Sequence, residues 1–106
     1  KVITNESDSL VYISRSLIPG CKDPQNKSIH YKKQVCIYGY NKDELRNFLQ
    51  FGRKSELEEL EDIEILRFLE FKETIKMFKS SNKSIAVDVL EDIKLVEKKL
   101  IAMNKL

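Results

Sequence analysis

The run Gln34–Tyr40 (QVCIYGY) constrains the fold of this chain more than any other segment. Its residues Val35 to Tyr38 are strand formers and largely apolar, which is the pattern of a strand covered on both faces. Such a strand needs neighbouring strands in a sheet and other elements packed above and below it. The run therefore predicts a central strand in a layered α/β structure.

Two shorter β-rich stretches lie near the start of the chain. Residues 2–4 and 9–13 flank a polar turn at residues 5–8, and this arrangement predicts an antiparallel hairpin. Pro19-Gly20 ends the second stretch. The following residues, 20–33, are polar and follow neither a helical nor a strand period, so we expect a mobile surface loop there.

Helical patterns follow the QVCIYGY run. Asn41 can cap a helix over residues 42–51, with Glu44 three residues later and Gly52 as its stop. The acid-rich segment 55–71 repeats apolar residues at helical spacing, although the pattern is interrupted. One broken helix or two short helices would satisfy it.

The last third of the chain predicts two strands and a helix. Residues 74–79 alternate apolar with basic side chains, and residues 84–87 are apolar after a polar turn. Asp88 then precedes a helical pattern and stands three residues before Glu91, as an acidic cap would. The apolar residues expected to form the buried face of this helix are Ile93, Val96, Leu100 and Ile101.

The length and composition of the chain limit the classes of protein to which it can belong. A chain of 106 residues fits one domain, 1–106, and its net charge of +2 divides unevenly, with ten Lys/Arg against five Asp/Glu in residues 1–54 and nine against twelve in residues 55–106. A continuous basic stripe for nucleic acid is therefore not expected. Cys21 and Cys36 have no metal-binding spacing, and no apolar run is long enough for a membrane span. We expect a cytoplasmic protein without membrane insertion.

Four stretches resemble the CMP-Kdo synthetase family, the cytidylyltransferases that couple CTP to an eight-carbon sugar acid in lipopolysaccharide assembly. They follow the order of that family, whose segments read FSRSPIP, HIGIYAY, PLEKIESLEQLRFLE and GVDTPEDLERV. The corresponding segments here are Tyr12–Pro19 (YISRSLIP), Gln34–Tyr40 (QVCIYGY), Ser55–Glu70 (SELEELEDIEILRFLE) and Ala86–Val96 (AVDVLEDIKLV).

The resemblance implies a fold and a reaction. The chain would be the carboxy-terminal portion of a Rossmann-like nucleotidyltransferase fold, a mixed sheet with flanking helices, and the CTP-binding half would precede Lys1. The start of the chain at a strand-like Lys1-Val2-Ile3-Thr4, without an initiator Met, also suggests a fragment. The implied reaction transfers CMP from CTP to a sugar acid and releases pyrophosphate with Mg²⁺ assistance. The resemblance further implies a homodimer.

The resemblance also assigns site residues. By spacing alone Asp88 reads as a helix cap, whereas the resemblance matches it to the metal-binding Asp of the family; both roles are possible together. Arg15 matches the arginine of SRS, where its planar fork could meet a carboxylate or phosphate. Tyr38 and Glu64 match sugar-acid contacts. The remaining two contacts differ from the family, because Gln34 replaces a His and Ile65 replaces a Gln.

The two departures leave alternatives open. Losing a polar partner of a substrate hydroxyl can change discrimination by several orders of magnitude, so the sugar acid is expected to be Kdo or a related keto-sugar acid. A non-catalytic interaction or dimerisation module derived from the same fold is the alternative. Without the resemblance, Tyr38 reads as a packed strand residue and Glu64 as a solvated helix acid.

Overall fold

The computed structural model describes residues 1–23, 25, 28–81 and 85–104. These residues form a two-stranded sheet and four helices. In chain order the elements are β1 (Val2–Thr4), β2 (Leu10–Ile13), α1 (Lys42–Phe51), α2 (Glu56–Glu61), α3 (Ile65–Glu70) and α4 (Leu90–Ala102).

The hairpin expected from residues 2–4 and 9–13 is confirmed. β1 and β2 pair antiparallel with Val2 opposite Ile13, and the register shifts by a bulge between Ile3 and Thr4. The turn between the strands is held by the side chain of Asn5, whose Oδ1 accepts hydrogen bonds from the backbone N–H groups of Ser7 and Ser9. A short polar side chain that bonds its own backbone is a common way to close such a turn.

Two later segments of the chain, around Lys32 and Lys76, lie along the edges of the hairpin. Val2 forms an isolated bridge with Lys32 on one side, and Ser9 forms one with Lys76 on the other. Leu10 donates to the carbonyl of Ile75 at 2.8 Å beside this second bridge. The strand predicted over residues 74–79 is thus reduced to a bridge, whereas segment 20–33 contains neither helix nor strand among its described residues. Pro24, Asn26 and Lys27 lie outside those residues.

The core joins the hairpin to α3. Leu66 is fully buried. It belongs to one apolar cluster that contains side chains from both strands of the hairpin and other side chains of α3. The buried apolar residues of this cluster are Val2, Leu10, Ile13, Ile65, Leu66 and Phe68. The core therefore fixes α3, and with it the start of that helix, against the two strands.

The helices predicted in the middle of the chain are confirmed. Asn41 and Glu44 form a reciprocal capping box at the start of α1, and Gly52 ends the helix in the left-handed conformation at φ 67°. Segment 55–71 is two short helices, separated at Asp62, which is itself left-handed. α2 carries a capping box of its own at Ser55.

Two predicted strands are wrong. Residues 34–40 form no strand: Cys36 is left-handed at φ 57°, and the side chain of Ile37 is 86% exposed. The physical reason is that none of the described residues lies beside this segment as a hydrogen-bonded strand, and an apolar run becomes a central strand only between neighbours. Residues 85–87 are likewise irregular, and Ser84 lies outside the described residues.

The last helix forms, but its predicted cap and buried face are wrong. Val89 occupies the capping position, and the helix start is held instead by Asp92, whose Oδ2 accepts from the backbone N–H groups of Asp88 and Val89 at 3.0 and 3.2 Å. No residue of α4, all of which is described, is buried. Ile93 and Ile101 stay exposed because no other described element covers this apolar face.

The fold class is confirmed in its coarser form. The described residues are mixed α and β, with a two-stranded antiparallel sheet in place of the larger mixed sheet predicted from the sequence. A Rossmann-like topology stays a prediction.

A candidate substrate groove

An open groove of about 920 Å³ lies between segment 32–40 and segment 74–80. The hairpin and the first turn of α3 form its floor, through Val2, Leu10 and Ile65 among others. Three of the site residues predicted from the sequence line this groove together: Gln34, Tyr38 and Ile65. Although residues 34–40 are not a strand, the structure brings their side chains to the same place as the start of α3.

Tyr38 is a groove residue whose phenol has a strongly raised pKa. Its ring lies 6.2 Å from that of Tyr40, which stacks on Phe68 at 5.1 Å. Burial, with smaller contributions from Cys36, Tyr40 and Glu64, raises the pKa of Tyr38 to about 12. The phenol is thus neutral throughout the physiological range, so it can donate and accept hydrogen bonds but cannot serve as a base.

Glu64 and Ile65 stand where α3 begins, yet they differ in exposure. Ile65 is buried in the floor of the groove, whereas the Glu64 side chain is exposed. Glu64 is not among the residues that line the groove, although its charge helps to raise the pKa of both Tyr38 and Tyr40. The apolar Ile65 can shape a ligand but offers it no hydrogen bond.

The walls of the groove carry an excess of positive charge that no pattern in the sequence had assigned to a site. Two lysines come from segment 32–40 and two from segment 74–80, against two carboxylates, those of Asp8 and Glu44. The four are Lys32, Lys33, Lys76 and Lys79. The available signal was the pair of lysines, Lys76 and Lys79, among the apolar residues of segment 74–79, but their spacing of three does not place them on one face of an extended segment.

Arg15 lies away from the groove, at the junction between the end of β2 and the end of α2. Its guanidinium donates to the backbone carbonyls of Glu61 and Asp62, the latter at 3.1 Å, and its Nη2 lies 3.6 Å from Asp62 Oδ2. The side chain remains 65% exposed. The structure therefore does not bring Arg15 into the groove with Gln34 and Tyr38.

Asp88 lies in a separate, shallow depression of about 520 Å³ at the start of α4, lined by residues 87–91 and Ile93. Its side chain is exposed, and within the described ranges no group of three or more His, Cys, Asp or Glu side chains could enclose a metal ion. Mg²⁺ often takes only one or two protein carboxylates and completes its shell with water and substrate phosphates. Asp88 fits the role of one such ligand and not that of a complete site.

The helices give no sign of a membrane span. In the part of the chain that is described, none is long and apolar enough to cross a bilayer.

Comparison with known proteins places the chain beside one kind of enzyme. No family model matches it. The 3-deoxy-manno-octulosonate cytidylyltransferase of Christiangramia forsetii is 37% identical over 100 residues, which cover 94% of this chain and 40% of the relative. The protein of the same name from Flavobacterium johnsoniae is 35% identical over 93 residues, covering 88% of this chain and 37% of the relative.

The chain thus spans about two-fifths of the length of the curated relatives that it matches. These matches confirm the resemblance inferred from the four segments: over nearly all of its length, the chain is similar to one part of the 3-deoxy-manno-octulosonate cytidylyltransferases, also called CMP-Kdo synthetases.

Proposed function

We propose that this chain supplies the sugar-acid side of a cytidylyltransferase and acts as part of a longer protein that also binds CTP. In the reaction, the anomeric hydroxyl oxygen of the sugar acid bonds to the α-phosphorus of CTP. The bond from that phosphorus to the oxygen bridging to the β-phosphorus breaks, pyrophosphate leaves, and the hydroxyl proton passes to water. The observation that carries the proposal is the similarity to two cytidylyltransferases along about nine-tenths of the chain.

The groove suits an anionic, hydroxyl-rich substrate. Its four lysines outnumber its two carboxylates, so a sugar carboxylate would find a net positive wall. Gln34 and the neutral phenol of Tyr38 can each donate and accept hydrogen bonds, which is what sugar hydroxyls require. We assign Gln34, Tyr38, Glu64 and Ile65 to the sugar acid and place its carboxylate toward the lysines.

The replacements in the groove bear on which sugar acid is used. An amide at Gln34 stays neutral where a histidine could carry charge, and Ile65 cannot pair with a hydroxyl that a glutamine would bind. A substrate hydroxyl that is buried without a hydrogen-bond partner weakens binding strongly. An apolar contact, in contrast, discriminates only weakly between substrates that differ by a small group. We propose Kdo, or a related keto-sugar acid that lacks or masks one hydroxyl at the Ile65 end.

Asp88 is proposed as one carboxylate ligand of Mg²⁺. When bound, the ion would neutralise charge on the triphosphate. Asp88 can fill this role because the start of α4 is held by Asp92, so that capping does not occupy the Asp88 carboxylate. The resemblance also supports cytoplasmic synthesis of lipopolysaccharide or another surface glycan, by a homodimer.

The test is pyrophosphate release by the full-length protein that carries this chain, with CTP, Mg²⁺ and a panel of keto-sugar acids. We expect release with at least one acid. Tyr38→Phe should raise KM for that acid and leave KM for CTP unchanged, while Asp88→Ala should lower kcat and shift the Mg²⁺ dependence. Glu97→Ala removes an exposed acid on the same helix outside this depression, and as the matched control it should behave as the parent.

Two results would count against the proposal. If no sugar acid supports pyrophosphate release, the chain is not part of a working cytidylyltransferase. If Asp88→Ala leaves both kcat and the Mg²⁺ dependence unchanged, Asp88 is not a ligand. Light scattering on the same protein tests the homodimer, which a strictly monomeric mass would exclude.

A further inference from the structure

Cys36 lies in the wall of the groove, between two residues that are assigned to the sugar acid. Gln34, Cys36 and Tyr38 all line the groove, and they follow one another at a spacing of two along the chain. Burial contributes most to the raised pKa of Tyr38, and the next two contributions come from Cys36, through its charge and through a side-chain hydrogen bond. The thiol therefore lies beside the phenol that is proposed to meet the sugar hydroxyls.

Cys36 also departs from the family pattern. It stands where the HIGIYAY segment of the family has its glycine, just as Gln34 stands at the histidine of that segment. The backbone of Cys36 is left-handed at φ 57°, a conformation that glycine adopts freely and that residues with a β-carbon adopt only under strain. Strained residues of this kind cluster at binding and active sites. The strain at Cys36 therefore favours a role for its side chain in the groove.

The thiol changes what the groove can hold. In place of the hydrogen atom of a glycine, Cys36 adds a methylene group and a sulfur atom to the wall. The thiol is only a weak hydrogen-bond donor and acceptor, so it offers little to a sugar hydroxyl. It also competes with the substrate for a hydrogen bond of the Tyr38 phenol. The groove is thus narrower and less able to bind a hydroxyl beside Tyr38 than it would be with glycine at this position.

We infer that Cys36 is a specificity-determining residue, which excludes a substrate hydroxyl from the groove beside Tyr38 and so favours a keto-sugar acid that is deoxy at that carbon. This inference rests on the proposed function and narrows the substrate class of the same groove. The thiol takes no part in the transfer of CMP, since the new bond joins the sugar oxygen to phosphorus. Cys36 acts on the choice among acids.

The ratio of kcat/KM for two acids measures this choice directly. The probes are Kdo and its monodeoxy analogues, each assayed by pyrophosphate release with CTP and Mg²⁺ in the full-length protein that carries this chain. In Cys36→Gly, the ratio for Kdo over at least one analogue should rise about tenfold, because one group of methylene size in a pocket changes discrimination by about 10–200-fold. Both acids are measured on one preparation, so the fraction of active protein cancels. Glycine suits φ 57°, so this variant should fold.

The other cysteine of the chain provides the matched control. Cys21→Gly makes the same change at an exposed position outside the groove and should leave the ratio as it is in the parent. If the ratio in Cys36→Gly does not rise for any analogue while pyrophosphate is still released, the inference is wrong and the proposed function stands. An equal rise in Cys21→Gly would overturn the inference as well.

Alkylation of the thiol gives a readout that does not need turnover. Cys36 is exposed, so iodoacetamide should modify it, whereas Cys21 serves as an internal reference. An acid present at ten times its Kd should slow the modification of Cys36 about tenfold, because only about a tenth of the protein is then unliganded, and should leave that of Cys21 unchanged. Peptide mass spectrometry of the full-length protein measures both rates.

The two assays distinguish failure of the inference from failure of the proposed function. If acids support pyrophosphate release but none slows the alkylation of Cys36, the inference alone is overturned. If no acid supports release, the proposed function fails, and the alkylation assay decides the inference: protection of Cys36 by a deoxy analogue, and weaker protection by Kdo, supports it, and the absence of protection overturns it.

Discussion

Replacing Glu58 with Gln should destabilise the chain severely, although the side chain barely changes size. Glu58 is 1% exposed, and its carboxylate binds the Arg67 guanidinium through two bonds, from Nε at 2.5 Å and from Nη2 at 2.7 Å. A glutamine can accept only one of them and turns an NH₂ group toward the other. The guanidinium would stay largely enclosed, with Phe48 stacked against it at 3.8 Å, and lose its counter-charge.

The size of the effect follows from burial. A charge-assisted hydrogen bond contributes about 1.5–3 kcal/mol, and leaving one member of a buried pair uncompensated costs about 3–5 kcal/mol. Arg67 is 12% exposed, so water relieves part of that cost and we expect about 3 kcal/mol. Since whole domains are stable by only about 5–15 kcal/mol, a loss of this size is readily measured.

Chemical denaturation at several pH values is the assay. Hydrogen bonding to Arg67 lowers the pKa of Glu58 below its ordinary value of 4.5. A carboxyl group with a depressed folded-state pKa stabilises the fold fully above its unfolded-state pKa and loses that contribution as the pH falls through its folded-state value. The gap in unfolding free energy between the parent and Glu58→Gln should therefore be constant near neutrality and shrink below pH 4.5.

A neighbouring acid provides the control for this prediction. Glu59→Gln makes the same change one residue away at an exposed position and should alter the free energy of unfolding by less than about 0.5 kcal/mol. If Glu58→Gln behaves like Glu59→Gln, or if its effect does not vary with pH, the buried ion pair does not stabilise the fold and the reasoning is wrong.

Two further predictions concern the ends of α1 and the groove. Asn41→Ala removes one half of a capping box, and Gly52→Ala places a side chain at φ 67°, so each should lower the free energy of unfolding by about 1 kcal/mol. Asn47→Ala, in the exposed middle of the same helix, is the control and should not destabilise it. Tyr38 should titrate near pH 12 in an ultraviolet absorbance titration, and the latest phenol transition should vanish in Tyr38→Phe. Because its folded-state pKa exceeds the ordinary value of 10.0, Tyr38 stabilises the fold below pH 10 and loses that contribution as the pH rises toward 12. A last transition that persists in Tyr38→Phe would refute the assignment.

Local signals in the sequence predicted most of the structure that depends on neighbours in the chain. The start of α4 is the exception, because Asp88 was expected to cap it and Asp92 holds it instead. The hairpin around Asn5, the capping box at Asn41 and the stop at Gly52 each use contacts within four residues, and all were predicted. The break in segment 55–71 was also predicted, because the interrupted apolar period already showed it.

The other predictions that failed needed a distant partner. The QVCIYGY run has the composition of a buried strand, but strand pairing is a non-local property, and among the described residues no strand pairs with it. The apolar face of α4 was expected to be buried for the same reason, and it is exposed. Composition reports what a segment could bury, whereas only the fold decides whether something covers it.

The candidate site was likewise predicted only in part. The resemblance supplied Gln34, Tyr38 and Ile65, which the structure brings to one groove, but nothing in their spacing predicted that four lysines would line the walls. The junction between Arg15 and Glu61 joins residues 46 positions apart, and no local pattern marks such a pair. Whether these residues bind a sugar acid stays a prediction.

The exposed α4 makes the stability of this chain uneven. A helix of 13 residues without a buried face is close to the length at which isolated helices in water are marginal, about 12–15 residues. Its amides should then exchange with solvent through local fraying, without the opening of the core around Leu66. A substitution that weakens the core would lower the protection of α3 and leave that of α4 where it was, so the chain should unfold as two cooperative units.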